Sequence, residues 1–338
     1  MKLYKYILLY TTIMWFIKYA LLIAMVNAES VWERFATFRG KFNKKYSTFE
    51  EFAERFHVFS ENLRSIEEHN AQGNQTFRLG VNQFTDMTNA EFKARNTYGL
   101  TRIGSSCGVY KTSSKDVGDS IDWREKKAVT EVKDQGQCGS CWTFSSTGAI
   151  EGAWAISTGE LIDLSEQQLV DCAQGIPYGS HGCNGGQMDG AFKYVISNGQ
   201  CTDESYPYVS GTTKDEGTCV ECESHVYISS CFDVTPNNQV DMKVAVSQQP
   251  VAVAIEADTM YFQSYSSGVL DSAKCGTKLD HGVLVVGYGE ESGTKYWLVK
   301  NSWGTSWGEN GYVKIARSES TNDAGVCGIA MEPSFPTV

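Results

Sequence analysis

The sequence lacks the compositional bias of a disordered or collagenous chain: 41% of residues are hydrophobic, 12% aromatic and 20% charged, with only 6 prolines, as in globular proteins. It has no internal repeat and no low-complexity tract, so no repeat architecture is indicated. It lacks an excess of positive charge, and the formal net charge of -11 argues against nucleic acid as a partner, since phosphate backbones are bound by an excess of Lys and Arg. It also lacks a long uninterrupted apolar run near its start, where Lys18 breaks the stretch and leaves Tyr19-Val26 as a short core. That favours a cleaved secretory signal over a bilayer-spanning anchor, although retention stays open. Lys2 and Lys5 precede the run, and the small residues of Val26-Asn27-Ala28 place the expected cleavage after Ala28.

Cysteine, by contrast, is abundant. Ten of the 11 cysteines follow residue 130, a density suited to an oxidising compartment unless metal is bound. Charge is also unevenly spread: residues 119-338 carry 13 Lys+Arg against 29 Asp+Glu, and residues 1-118 carry 16 against 11. An N-terminal segment docking on the remainder fits that complementarity, with solvated acidic surface as the plainer reading of most carboxylates. The 338 residues allow two or three ordinary domains, or one catalytic unit of about 200 residues behind removable segments.

Along residues 29-98, Glu51, Arg55, Phe59, Asn62, Ile66 and Asn70 recur at intervals of 3 or 4 and fall on one helical face. Thr48 with Glu51 reads as a capping-box start, and Gly73 follows the helix end. Gly80, Asn82, Phe84 and Asp86 alternate in an extended segment. From Thr101 to Ser120 the Gly, Ser, Thr and Lys content reads as an exposed, cleavable linker. Helices are expected from Cys141 to near Gly159, from Ser165 with Gln168 as a capping box, and over Gln187-Ser197. Strands are expected at Val251-Ile255, Val283-Gly287, Tyr296-Lys300 and Tyr312-Ile315. A helical half is thus followed by a β half, an α+β chain.

Cysteine catalysis needs a thiolate, a base that also protonates the leaving group, and oxyanion donors. Cys141, in Gln135-Gly136-Gln137-Cys138-Gly139-Ser140-Cys141-Trp142, opens a predicted helix, whose dipole is expected to lower the thiol pKa. His281 stands just before a predicted strand, and Asn301 opens Asn301-Ser302-Trp303-Gly304, where it could accept the imidazole N-H and orient the ring.

Cys-Gly-Ser-Cys-Trp with a downstream His and Asn resembles papain and the cathepsins. His281 follows Cys141 by 140 residues and Asn301 by 160, the latter slightly long, for which a Cys-rich insertion around 211-231 could account. The resemblance implies a two-lobed fold, with a helical left lobe and a β-barrel-like right lobe, behind a helical propeptide. It implies that the Gln135 side chain and the Cys141 N-H serve the oxyanion, and that Trp303 shields the His281-Asn301 bond. The Glu51 to Asn70 set with Gly80-x-Asn82-x-Phe84-x-Asp86 looks like the inhibitory propeptide of the cathepsin L branch, which in family members runs through the cleft opposite to substrate direction. The expected division is signal peptide 1-28, propeptide 29-118 and peptidase 119-338, with the mature N-terminus near Asp116-Ser120.

The same resemblance suggests bridges Cys138-Cys183, Cys172-Cys219 and Cys275-Cys327, leaving Cys201, Cys222 and Cys231 for one more bridge and one free thiol. Cys222 in place of Cys219 stays open, as does a zinc site from Cys138/Cys141 and Cys219/Cys222, which oxidation disfavours. The pocket for the second residue before the scissile bond is implied to be walled by Gln187, Met188, Ala254, Leu279 and Gly282 with Glu332 at its floor, while Gly186 and the Asp280 carbonyl bond the substrate backbone. Such walls favour Leu or Phe, and the carboxylate would admit Arg unless it turns to solvent. Asn74 in Asn74-Gln75-Thr76 is a glycosylation sequon within the propeptide.

The expected activity is therefore endopeptidase hydrolysis through a thioester, without metal or organic cofactor. Its expected partners are peptide and protein substrates, its own propeptide and cystatin-like inhibitors. A monomer in the secretory pathway, bound for a lysosome, vacuole or the exterior, is implied. An inactive binding homologue and a peptide ligase are the competing classes.

Overall fold

The computed structural model describes residues 29-96, 107-112 and 117-338; the expected signal, residues 1-28, lies outside them. No helix among the described residues is long and apolar enough to cross a membrane. Two compact units are present, Met1-Ser60 and Glu61-Val338.

In the first unit, helix α1 (Val31-Lys41) starts at a complete capping box between Ser30 and Glu33, which satisfies two backbone donors reciprocally. Helix α2 (Phe49-Ala71) begins there too. Thr48 Oγ1 accepts the Glu51 N-H at 3.1 Å, but the Glu51 carboxylate takes the Ser47 N-H at 2.6 Å instead of closing on Thr48. Phe35 is buried against Phe52, Phe56 and Phe59 with centroids 5.6, 5.2 and 5.2 Å away, so an aromatic cluster forms this small core.

The second unit adds β1 (Phe77-Leu79), α3 (Asn89-Asn96), β2 (Gly108-Val109), β3 (Ile121-Asp122), α4 (Cys141-Thr158), α5 (Glu166-Cys172) and α6 (Met188-Asn198). Then come β4 (Ser230-Asp233), α7 (Gln239-Val246), β5 (Val251-Ile255), β6 (Tyr265-Leu270), β7 (His281-Glu291), β8 (Thr294-Lys300), β9 (Tyr312-Ala316) and β10 (Ser334-Thr337). Gly159 caps α4 in the left-handed region at φ 83°, where only glycine sits without a Cβ penalty.

The strands run in the order β1-β6-β9-β8-β7-β5-β10-β4-β2, with β3 on β7. This corrects the barrel-like expectation. The path is open among the described residues, because it ends on strands of three and two residues that do not pair with one another.

Strands β5, β7 and β8 are apolar on both faces and divide two cores by their period of two. Val251, Val253, Ile255, Val283, Val285, Trp297 and Val299 face the β core. Ala252, Ala254, Leu284, Val286 and Leu298 face the helical core of Trp142, Ile150, Leu169 and Phe192. The two cores are the two lobes, and the first residues of α4 and β7 are packed together where they meet.

Five disulfides staple the chain: Cys138-Cys183, Cys172-Cys219, Cys275-Cys327, Cys201-Cys222 and Cys107-Cys231. Cys231 closes on Cys107, so no second free thiol remains and Cys141 alone is unpaired. The zinc alternative loses its ligands, since Cys138, Cys219 and Cys222 are all bridged.

Candidate active site

Cys141 is the first residue of α4, and Ser140 before it makes no side-chain cap. The Thr143 N-H is taken by the Ser140 carbonyl at 2.8 Å, and the Cys141 and Trp142 N-H groups are left to favour a negative charge at Cys141. The Cys138-Cys183 bridge and the Gly139 N-H to Cys183 carbonyl bond at 2.9 Å pin the approach to this turn. The Trp142 indole donates to the Gly182 carbonyl at 3.2 Å. Gly186 lies flat on that indole: a Cβ there would meet ring carbon at 2.5 Å.

His281, the first residue of β7, pairs with Ile255. The expected strand start at Val283 is moved two residues forward, because β5 supplies ladder partners to a stretch that reads locally as a loop. A Cβ on Gly282 would stand 3.2 Å from Trp142 Cα and 3.3 Å from the Cys141 carbonyl carbon, so any side chain there would push β7 and α4 apart by a few tenths of an ångström.

His281 Nε2 and Asn301 Oδ1 are 2.8 Å apart. Asn301 Oδ1 also accepts the Ser302 N-H at 2.8 Å, so that atom is the amide oxygen and Nε2 is the donor. The lone pair is thus on His281 Nδ1, which has no protein partner among the described residues. Trp303 stacks on the imidazole at 4.6 Å and 26°, and all three side chains are buried.

Gln135 is fully buried, with Nε2 donating to the Cys138 carbonyl at 3.0 Å and Oε1 accepting from Ser302 Oγ at 2.7 Å. One amide hydrogen remains for another acceptor. Tyr208, hydrogen-bonded to Ser140 Oγ at 2.7 Å and to the Gln135 carbonyl at 2.8 Å, ties these residues together. Ser302 was legible as part of the Asn301 motif; Tyr208 has no local signal.

Burial pushes the Cys141 thiol up to about 11, against the N-H groups of Gly282, Trp142 and Cys141 itself. Burial likewise pulls His281 down to about 4, against the Asn301 bond. The expected lowering of the thiol pKa is thus overridden in this closed form, where both groups are neutral at pH 7. Exposure to water would act in the opposite sense on both. Asp280, two residues from Gly282, is pushed by burial up to about 7, with Oδ1 accepting the Ala257 N-H at 2.8 Å.

The expected propeptide residues from 61 onward meet this region. Asn62 Nδ2 bonds the Thr85 and Met87 carbonyls at 2.8 and 2.9 Å, and Asn70 pairs with both backbone groups of Leu79 at 2.7 and 3.0 Å. Gly80 donates to the Ser264 carbonyl at 2.8 Å, and Asn82 Nδ2 to that of Gln263 at 2.7 Å. Phe84 and Phe92 stand edge-on to Trp303 at 5.5 and 5.3 Å, and Gln83 donates to the Trp303 carbonyl at 2.7 Å. Ile66 and Asp86 are buried. Glu51, Arg55 and Phe59 belong to the first unit, and Asn74 is exposed in a turn.

Of the expected pocket residues, Gln187, Met188 and Glu332 line one cavity together with Asp189, Asp233, Val234, Pro236, Pro333 and Ser334. Ala254, Leu279 and Gly282 are outside that lining; Ala254 and Gly282 face each other across β5 and β7, and Leu279 packs on the helical core with Met188 and Ala254.

Residues 117-337 match the papain family cysteine protease model and residues 35-92 the cathepsin propeptide inhibitor domain (I29). Cysteine proteinase RD21A of Arabidopsis thaliana is 46% identical over 318 residues, 91% of this chain and 66% of the relative. Senescence-specific cysteine protease SAG39 of Oryza sativa subsp. indica is 46% identical over 304 residues, 88% of this chain and 87% of the relative. The recombinant stem bromelain precursor has a TM-score of 0.83 and 41% identity, covering 92% of this chain and 99% of that one. Digestive procathepsin L 3 of Tenebrio molitor larval midgut has a TM-score of 0.83 and 40% identity, covering 92% and 100%.

Proposed function

The chain belongs to the papain family of cysteine proteases, and on that premise we propose that it is an endopeptidase zymogen hydrolysing peptide bonds through a thioester on Cys141. The carrying observation is the oriented pair: Cys141 on the first turn of α4 against Gly282, and His281 with Nε2 held by Asn301 at 2.8 Å, which leaves Nδ1 to exchange a proton. Cys141 Sγ would add to the scissile carbonyl as the thiolate while imidazolium gives its proton to the departing amine. Water, deprotonated by His281, would then release the acid. The free Gln135 amide hydrogen and the Cys141 N-H are the donors for the transient oxyanion.

Residues 29-118 would form the inhibitory propeptide and 119-338 the peptidase, in an endosomal, vacuolar or secreted setting. Glu332, half-buried in the cavity with Gln187 and Met188, supports acceptance of Arg beside Leu or Phe at the second residue before the cleaved bond. The test is acid treatment of the precursor followed by a thiol-directed epoxide and product analysis on peptides. Stoichiometric labelling of Cys141, lost in His281→Ala, with free acid products is expected. Labelling independent of His281, or amide products, would overturn the assignment.

A further inference from the structure

Cys107 lies in the linker, N-terminal to every expected maturation site, yet it is bonded to Cys231 across 124 residues. We propose that this bridge keeps the pro-segment covalently attached after the linker is cut, so that release of the inhibitor needs a second cut before Cys107 or reduction of the bridge. The mature enzyme would then keep the residues that follow Cys107 as a short second chain. This rests on reading residues 29-118 as a propeptide.

The bridge is part of a built attachment. Gly108 and Val109 pair in parallel with Phe232 and Asp233, and the Tyr110 N-H continues the ladder to the Asp233 carbonyl at 2.8 Å. β4 is itself held along its length by β10, so β2 adds a strand to a fixed edge. Tyr110 stands edge-on to Phe335 at 5.0 Å and its hydroxyl accepts from Gln248 at 2.6 Å. Thr112 Oγ1 donates to Asp241 at 2.9 Å. Cys107 Sγ lies within 4.8 Å of carboxylate oxygens of Asp189 and Asp233. With the sulfur already bonded, that cluster offers no thiolate to a metal, and its charges repel an attacking thiolate.

The inhibitory contacts at Asn82 to Phe92 lie 25 to 15 residues before Cys107. A covalent tether of that length holds a ligand at an effective concentration on the order of millimolar. After a single cut beyond Thr112, dilution would therefore not free the site. Reduction by a dithiol would: the dithiol gives up two electrons and two protons and closes its own ring, and Cys107 and Cys231 become thiols.

The test uses the full-length Arg102→Gln/Lys111→Gln/Cys141→Ser precursor, nicked in the linker with trypsin after Lys115, so that the cut falls beyond Cys107 and needs no activity of the protein's own. Under denaturing, non-reducing conditions the mass should rise by one water only, and dithiothreitol should split the protein into two pieces. Separation without reductant, or alkylation of Cys107 in the unreduced chain, would overturn the proposal. In the wild type at acidic pH, activity should lag behind the first cut, and the lag should vanish in Cys107→Ser/Cys231→Ser. Equal lags would equally overturn it. A wild type that never processes itself would count against the zymogen reading, and the trypsin experiment still decides the bridge.

Discussion

Helix α4 carries two buried ionisable groups, Cys141 at its first position and Glu151 near its middle, whose surroundings differ in how completely they are satisfied. Around Glu151, Lys133 Nζ donates to both Glu166 oxygens at 2.8 and 2.9 Å and to the Leu164 carbonyl at 3.1 Å. Glu151 accepts from Thr130 Oγ1 at 2.6 Å and the Leu164 N-H at 3.0 Å. Burial opposes the Lys133 charge, but Glu166, Glu151 and Asp163 outweigh it and hold that pKa above the ordinary lysine value. Around Cys141, by contrast, Asp280 Oδ2, His281 Nδ1, Asn301 Nδ2 and Trp303 Nε1 are buried without a partner among the described residues. Unmet hydrogen-bonding capacity costs stability. A fold that satisfies one cluster and leaves its neighbour incomplete separates a structural group from one with capacity left for a reactant.

The contrast breaks first on activity. Cys141→Ser, matured by added protease, should lose at least about a thousandfold in peptide hydrolysis while its urea midpoint stays at the wild-type value; a coupled fall in midpoint would make Cys141 a packing residue. Lys133→Met should do the reverse. Removing the cation hydrogen-bonded to Glu166, with only Lys300 left beside the two carboxylates, is expected to cost about 3 kcal/mol, read as a lower urea midpoint in the Cys141→Ser precursor. An unchanged midpoint would erase the distinction between the clusters.

A smaller effect sharpens the comparison through pH. His281, held at about 4 in the closed form against an ordinary 6.5, binds its proton less readily than when exposed. Its contribution to the closed precursor is complete above pH 6.5 and is lost as pH falls toward 4, by up to about tenfold in the equilibrium per pH unit. The urea midpoint of the Cys141→Ser precursor should therefore drop across that window, and less so in His281→Asn; equal slopes would assign the acid response elsewhere. Smallest is Glu332→Ala, expected to lower cleavage after Arg relative to Leu by about tenfold. Equal loss on both peptides in a library would remove Glu332 from recognition.

The reactive residues were legible because each carries a local cue: a cysteine at a helix start, a histidine at a glycine-flanked strand, an asparagine before Ser302 and Trp303. β5 was legible to the residue, since Val251-Ile255 is apolar at every position. β4 and β10 were not, because Ser230-Asp233 and Ser334-Thr337 are short and mixed in polarity and become strands by pairing with each other and with β2 and β5.

The sequence by itself determined the position of Cys141, the proposed nucleophile, on a helix start, the helical face carrying Asn62, Ile66 and Asn70, and the apolar strands dividing two cores, all of which depend on residues a few places apart. Tertiary structure alone decided that burial reverses the thiol's expected pKa shift, that Asn301 leaves His281 Nδ1 free, and that Cys107 closes on Cys231. Desolvation and long-range pairing depend on which segments fold over a group, and no local spacing encodes that. The motif around Cys141 names the chemistry, and the residues packed over it set when that chemistry is available.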